Sequence, residues 1–179
     1  LSFIGNGYVS RLIIEVTGIR NVSDNYSVGL GMGIGKWSDK WLNFNLNIEP
    51  RYNNSRSSIN KGIVTKYWSA SAYPYVDIKL KKQKLYFNLD GNFTMYQQTI
   101  TFANQRNVFL INAAVRKTFG KTEAFELKLS VNDLLNQNLG IRRSINSNFI
   151  SENTFQNIRR FGLLTFIWNF TKNGTPSNF

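Results

Sequence analysis

The sequence predicts an all-β chain, folded as an antiparallel up-and-down transmembrane β-barrel with about eight strands in this stretch. Three observations predict it. Apolar and polar residues alternate with a period of two in segment after segment. Short turn signals and longer polar stretches separate those segments. The composition also works against helix. Of 179 residues 24 are Asn, and Ser, Thr, Ile, Val, Phe and Tyr are abundant. All of these are poor helix formers, and the last five are strand formers.

The elements follow in chain order. Segment 8–17 is rich in β-branched residues, with a turn signal before it at Gly5-Asn6-Gly7. In 26–35, Tyr26, Val28, Leu30, Met32 and Ile34 oppose Ser27 and the row Gly29, Gly31, Gly33 and Gly35. In 41–49, Leu42, Phe44, Leu46 and Ile48 oppose Asn43, Asn45, Asn47 and Glu49. Segment 63–80 alternates less cleanly. In 85–95, Leu85, Phe87, Leu89, Gly91, Phe93 and Met95 oppose Tyr86, Asn88, Asp90, Asn92 and Thr94. Segment 106–119 is again β-branched and aromatic. In 125–132, Phe125, Leu127, Leu129 and Val131 oppose Glu126, Lys128, Ser130 and Asn132. Segment 157–170 closes the series. Besides 5–7, short breakers fall at 38–40, 81–83 and 120–122, and longer polar stretches at 18–24, 53–62, 98–105 and 137–156. This is a meander with tight turns at one end and long loops at the other, with no helix of useful length.

A soluble sandwich or lipocalin-like barrel alternates as well, so strand length and aromatic placement decide. Soluble strands run to about five or six residues, and several segments here are about twice that. A strand tilted near 45° across an apolar band of about 25 Å needs roughly ten residues. Trp37 and Trp41, Phe119 and Phe125, and Trp168 and Phe170 gather near the short turns. Tyr52, Tyr67, Trp68, Tyr73 and Tyr96 lie toward the long loops. Two such belts suit the two water–lipid interfaces. A sheet in hydrocarbon must close, because unpaired backbone groups have no water there. Its polar face then lines a wet interior, where amides are inexpensive. The lumen-lining candidates are Asn43, Asn45, Asn47, Glu49, Asn88, Asp90, Asn92, Glu126, Lys128 and Asn132.

What is missing narrows the function. There is no Cys and no His, which removes the usual zinc sites, thiol nucleophiles and imidazole bases. No catalytic set, metal site or cofactor is expected, and the carboxylates Asp90, Glu126 and Asp133 are read as polar lining. No apolar run is long enough for a spanning helix, and no charged-then-apolar leader opens the chain. The chain starts at Leu1, as expected of a mature chain or a fragment. The net charge of +12 is spread along the chain rather than gathered in one stripe, which argues against nucleic acid. The glycine row is not a phosphate loop, because it lies in a strand and no Lys-Ser/Thr follows. It is expected to leave room for something bulky, a plug or a neighbouring side chain.

Segment 124–138, Ala-Phe-Glu-Leu-Lys-Leu-Ser-Val-Asn-Asp-Leu-Leu-Asn-Gln-Asn, carries a resemblance. So do Ile141-Arg142-Arg143 through Asn148-Phe149-Ile150, and the ending Asn157-Ile158-Arg159-Arg160-Phe161 to Leu164-Thr165-Phe166-Ile167-Trp168-Asn169-Phe170. Upstream, Tyr52-Asn53-Asn54-Ser55, Thr65-Lys66-Tyr67-Trp68 and Gln97-Gln98-Thr99 leading into Asn107-Val108-Phe109-Leu110 fit the same pattern. Together they resemble the C-terminal strands of Bacteroidetes-type TonB-dependent outer-membrane receptors, within the outer-membrane β-barrel protein family. The resemblance spans roughly residues 24–172.

It implies a bacterial outer-membrane transport protein that imports a scarce nutrient such as a glycan, peptide or metal chelate. It also implies a barrel of about twenty-two strands around an N-terminal plug, with TonB and a SusD-like surface lipoprotein as partners. Eight strands then form the C-terminal part of the barrel, residues 1–172, followed by a polar tail at 173–179, with the assembly signal in 162–170.

Outer-membrane lipid and lipopolysaccharide are the remaining partners. Arg142, Arg143, Asn146 and Asn148 are the outer-loop candidates for ligand or partner contact. Lys81, Lys82 and Lys84 are read as a solvated turn, and Arg159 and Arg160 as anchors of the last strand. Two other readings remain. One is a self-contained eight-stranded structural or adhesive barrel, and the other is a soluble barrel around a small ligand. An enzyme is the least expected.

Overall fold

In the computed structural model, the described residues are 1–16, 18–59, 64–97, 107–120, 123–138, 140–145 and 150–170, with backbone alone at 16, 64, 65, 141–145 and 150–154. Ten strands follow in order: β1 (Ser2–Val16), β2 (Ile19–Lys36), β3 (Leu42–Ser57), β4 (Val64–Leu80), β5 (Leu85–Tyr96), β6 (Val108–Phe119), β7 (Phe125–Asn132), β8 (Ile141–Ile145), β9 (Ile150–Thr154) and β10 (Phe161–Trp168). Eight of them form one antiparallel sheet in the order β1-β2-β3-β4-β5-β6-β7-β10. From β1 to β7 each strand lies beside its chain neighbour, and β10 then pairs with β7, with β8 and β9 paired apart from the main sheet. Among the described residues the only helical turn is a 3₁₀ turn at Lys81–Gln83. The fold class is therefore the expected one, an all-β up-and-down meander of eight strands.

The cross-strand registers settle which side chains share a face, since directly paired residues point the same way. One row runs Met32↔Ile48↔Ala72↔Phe93↔Phe109 across five strands. Another runs Phe44↔Val76↔Leu89↔Ala113↔Val131↔Gly162. The rows between them are polar, such as Asn45↔Tyr75↔Asp90↔Asn112. Alternation that is local in sequence thus becomes one apolar and one polar face across the sheet.

The apolar face is not packed on anything. Val28 is 64% exposed, Leu129 53% and Leu164 71%. Among the described residues Ala72 is the only buried hydrophobic side chain. The other buried side chains among the described residues are polar, Asn21, Ser23, Asn43, Ser57, Thr118 and Asp133, and of these Asn21 and Ser23 are fully covered. This inverts a water-soluble fold, where apolar burial supplies the driving force. It excludes the sandwich reading, which needs the Leu and Phe rows to meet in a dry centre.

The dimensions fit a bilayer. On β3 the apolar face runs from Leu42 to Tyr52, which at ~3.3 Å per residue and a 45° tilt makes about 23 Å of height. Aromatic pairs mark both ends. Phe125 lies 6.0 Å from both Phe166 and Trp168 at the turn end. Tyr52 and Trp68 sit 5.1 Å apart toward the loops.

Several expected boundaries are corrected. Gly5-Asn6-Gly7 is no turn. It lies inside β1, where Asn6 bonds across to β3. The polar stretch 18–24 is no long loop either, since β2 begins at Ile19. Asn21 and Ser23 fit a strand because they fall on the polar face, while Arg20 and Asp24 fall on the other. Asn21 Oδ1 accepts hydrogen bonds from the Ser57 and Ser58 hydroxyls, and the Val22 N–H donates to Ser58 Oγ. The loop 137–156 contains the β8–β9 hairpin. Two prolines sit inside the sheet and interrupt the ladder. Pairing of β2 with β3 skips from Gly29↔Arg51 to Met32↔Ile48 around Pro50. Pairing of β4 with β5 skips from Ala72↔Phe93 to Tyr75↔Asp90 around Pro74. A proline has no N–H to give.

Candidate functional site

All ten predicted lining residues share the polar face. Asn43, Asn45, Asn47 and Glu49 lie on β3, Asn88, Asp90 and Asn92 on β5, and Glu126, Lys128 and Asn132 on β7. Cross-strand partners connect them. Asn43 donates to Asp77 Oδ2 at 3.3 Å, and its own Oδ1 accepts the Ser38 N–H at 2.7 Å. Asn112 Nδ2 donates to Asp90 Oδ2 at 2.8 Å. Arg116 donates to Glu126 Oε2 at 3.2 Å and lies 4.2 Å over the Tyr86 ring.

A longer network crosses four strands on the loop side of the face. Asn6 on β1 donates to Glu49 on β3, and Glu49 also accepts from Arg51. Arg51 donates to Asn6 Oδ1 at 2.9 Å and to Ser27 Oγ at 3.0 Å. Ser27 donates to Asn53 Oδ1, and Asn53 donates to Ser69 Oγ on β4. A parallel ladder runs Ser55 to Asn25 to Ser10. Charge-assisted bonds of this kind are the stronger ones.

The glycine row makes these side chains fit. A Cβ on Gly29 falls 2.7 Å from Asn6 Oδ1 and 3.4 Å from Arg51 Nη2. On Gly33 it falls 2.6 Å from Asn47 Oδ1 and from Ser2 Oγ, and on Gly35 2.7 Å from Asn45 Oδ1. Of the two expected occupants, neighbouring side chains take this space, lying flat across β2.

Aromatic types largely segregate by face, although Phe161 lies on the polar one, paired with Asn132. Tyr8, Tyr67, Tyr73, Tyr75, Tyr86 and Tyr96 share the polar face, while Tyr26 and Tyr52 share the apolar one with Phe44, Phe87, Phe93, Phe109, Phe125 and Phe166. A phenol offers both a flat face and a hydroxyl to a polar ligand. Tyr73 is exposed, as are Asn47 beside it on β3 and Asn92 on β5. Sequence reading did not single out Arg51, Asn53, Asp77, Asn112 or Arg116. The period of two would find them once carried through Pro50 and into the less regular segments.

The two ends of the sheet are tied differently. At the turn end Lys84 Nζ donates to the Gly120 carbonyl at 3.1 Å and lies 3.5 Å from Glu123. That lysine links two turns, a correction to its reading as merely solvated. At the loop end the run Asp133–Asn138 folds back on itself. The Asp133 carboxylate accepts the N–H groups of Gln137 and Asn138 at 2.8 and 2.9 Å. Its own N–H donates to Asn112 Oδ1 at 3.0 Å. Gln137 Oε1 accepts the Phe109 N–H, and Arg160 donates to the Leu134 carbonyl, an anchoring contact. The role of Asp133 is thus to close a turn.

Of the outer-loop candidates, Arg142 and Arg143 lie on β8, described there by backbone alone, while Asn146 and Asn148 fall outside the described residues, as does the tail 173–179. Among the described residues no three His, Cys, Asp or Glu side chains group as metal ligands.

Comparison with known families finds one match: the model of the outer membrane protein beta-barrel family aligns with residues 11–168. Comparison with curated proteins and with solved structures finds no match.

Proposed function

The chain belongs to the outer membrane protein beta-barrel family and resides in the bacterial outer membrane, and from that premise we propose that it is a barrel section of a TonB-dependent receptor that imports a nutrient. The observation that carries this reading is the state of the sheet edges. Among the described residues β1 pairs only with β2 and β10 only with β7. Both edges are long rows of backbone donors and acceptors, which hydrocarbon does not tolerate unpaired. Further strands of a larger barrel satisfy them.

The polar face then becomes the wall of a water-filled lumen. Its amides, hydroxyls and tyrosines offer many weak, evenly spread contacts, suited to a passing hydrophilic solute rather than to bond chemistry. No catalytic role and no cofactor enter this reading. A plug domain inside the barrel, TonB beneath it and a SusD-like lipoprotein above it complete the machine, and a glycan, peptide or metal chelate is its cargo. Long loops at the β8–β9 end face outward, as in barrels with short periplasmic turns.

Two experiments test this. Uptake of the cargo by cells carrying the full-length protein should stop when the proton-motive force is collapsed or TonB is deleted. Energy-independent uptake would contradict it. The 179-residue stretch alone, refolded into vesicles, should give no heat-modifiable monomer. A sharp heat-modifiable band would instead support a self-contained eight-stranded barrel.

A further inference from the structure

On the apolar side of the sheet the character changes abruptly at the loop end. Across β2, β3 and β4 the row Val28↔Tyr52↔Trp68 is the last wholly apolar one, while Val9 and Ile13 continue the apolar character on β1. The next row of that face is Tyr26↔Asn54↔Lys66, and the one after it Arg11↔Asp24↔Arg56. Two residues of strand advance about 7 Å, so along the strands Lys66 sits about 7 Å and the Arg11 and Arg56 row about 13 Å beyond the Tyr52–Trp68 pair. Arg11, Arg56 and Lys66 face outward with one carboxylate, Asp24, between them. Arg56 and Lys66 are exposed, and the Arg11 side chain is 64% accessible. Arg11 holds both Asp24 oxygens through Nε and Nη2, at 2.6 and 3.1 Å. That contact fixes the guanidinium against the strand. One carboxylate leaves three cations with a net charge of +2.

These residues cannot serve the lumen, because they point away from it. We propose that Arg11, Arg56 and Lys66 form a docking surface for the phosphorylated headgroup of an outer-leaflet glycolipid of the lipid A type. Three features select that partner. The patch lies on the lipid-facing side. It sits at headgroup height, immediately beyond the aromatic pair. It is built of two arginines on strands that flank β2, so their backbones stand about 10 Å apart, and each guanidinium keeps N–H groups for a phosphate, those of Arg11 being the ones Asp24 does not take. The opposite rim of the same face differs. There the cations are Lys36 and Lys117, point charges rather than forks, and Lys117 Nζ lies 5.5 Å over the Phe119 ring. The inference rests on the loop end facing outward and is independent of what the lumen carries.

The test uses the full-length protein in phosphatidylethanolamine nanodiscs, titrated with bisphosphorylated lipid A and read by native mass spectrometry. The wild type should retain lipid A. The triple variant Arg11→Ala, Arg56→Ala, Lys66→Ala should lose retention by at least roughly tenfold, the equivalent of one charge-assisted hydrogen bond. The pair Lys36→Ala, Lys117→Ala should leave it unchanged. Dephosphorylated lipid A should bind the wild type as weakly as lipid A binds the triple variant. Unchanged retention in the triple variant overturns the proposal. So does millimolar inorganic phosphate displacing the lipid, which marks a simple anion site. A loss confined to the lysine pair overturns it too, by reversing the orientation without touching the transport reading. If the triple variant does not fold, the wild-type comparison of the two lipid A forms decides.

Discussion

Leu129 and Asn132 stand three residues apart on β7 and face opposite sides of the sheet. Leu129→Arg puts a charge on the lipid-facing side and should cost roughly 2–4 kcal/mol if it lies near mid-bilayer. Asn132→Arg, on the wet side, should cost much less. Denaturant unfolding of the full-length protein in lipid vesicles reads both. The glycines permit a second contrast on one face of one strand. Gly29→Val drives a side chain into Asn6 and Arg51, and should cost about 1–3 kcal/mol. Gly31→Ala meets only Ile4, its carbonyl at 3.4 Å and its Cβ at 3.8 Å, and should shift the unfolding midpoint little. That the glycine row makes room was legible from its spacing. What fills the room was not, because Asn6, Arg51 and Asn47 come from strands whose register no single sequence displays.

At the scale of elements, segment 124–138 carries the family resemblance, but sequence alone gives its end, Asp133–Asn138, no structural role. The structure supplies one. β7 must stop, and Asp133, in a left-handed conformation with φ 51°, caps the exit by taking two backbone N–H groups. Asp133→Ala should cost about 1–2 kcal/mol, since it strands two half-buried donors. Hydrogen exchange should quicken at Gln137 and Asn138 while the β7–β10 ladder stays protected. Gly140 anchors the next element. Its φ is +62°, and an added Cβ would lie 2.1 Å from the Phe155 carbonyl. Gly140→Ala should therefore loosen the base of the β8–β9 hairpin, seen as faster exchange at Phe155, whose N–H donates to the Gly140 carbonyl. That hairpin escaped sequence reading because five-residue strands rich in Arg, Ser and Asn carry little periodic signal. The start of β2 escaped for a related reason. Arg20, Asn21, Ser23 and Asp24 look like a loop until their partners across the sheet are known.

For the whole molecule, the strongest statement is that, among the described residues, the buried side chains are polar apart from Ala72 while many large apolar side chains are exposed. This was legible because a period of two, repeated over long strands with aromatics at the ends, admits few solutions. Register was less legible, since Pro50 and Pro74 break the alternation that would have extended β3 and β4. The absence of Cys makes the central claim directly measurable. Single cysteines at positions 45, 46, 47 and 48 of β3, each carrying a spin label in the full-length protein in bilayers, can be probed with oxygen and with a water-soluble nickel chelate. Labels at Leu46 and Ile48 should favour oxygen, and those at Asn45 and Asn47 the chelate, alternating residue by residue. Equal accessibility at all four, or the reverse alternation, would contradict the account.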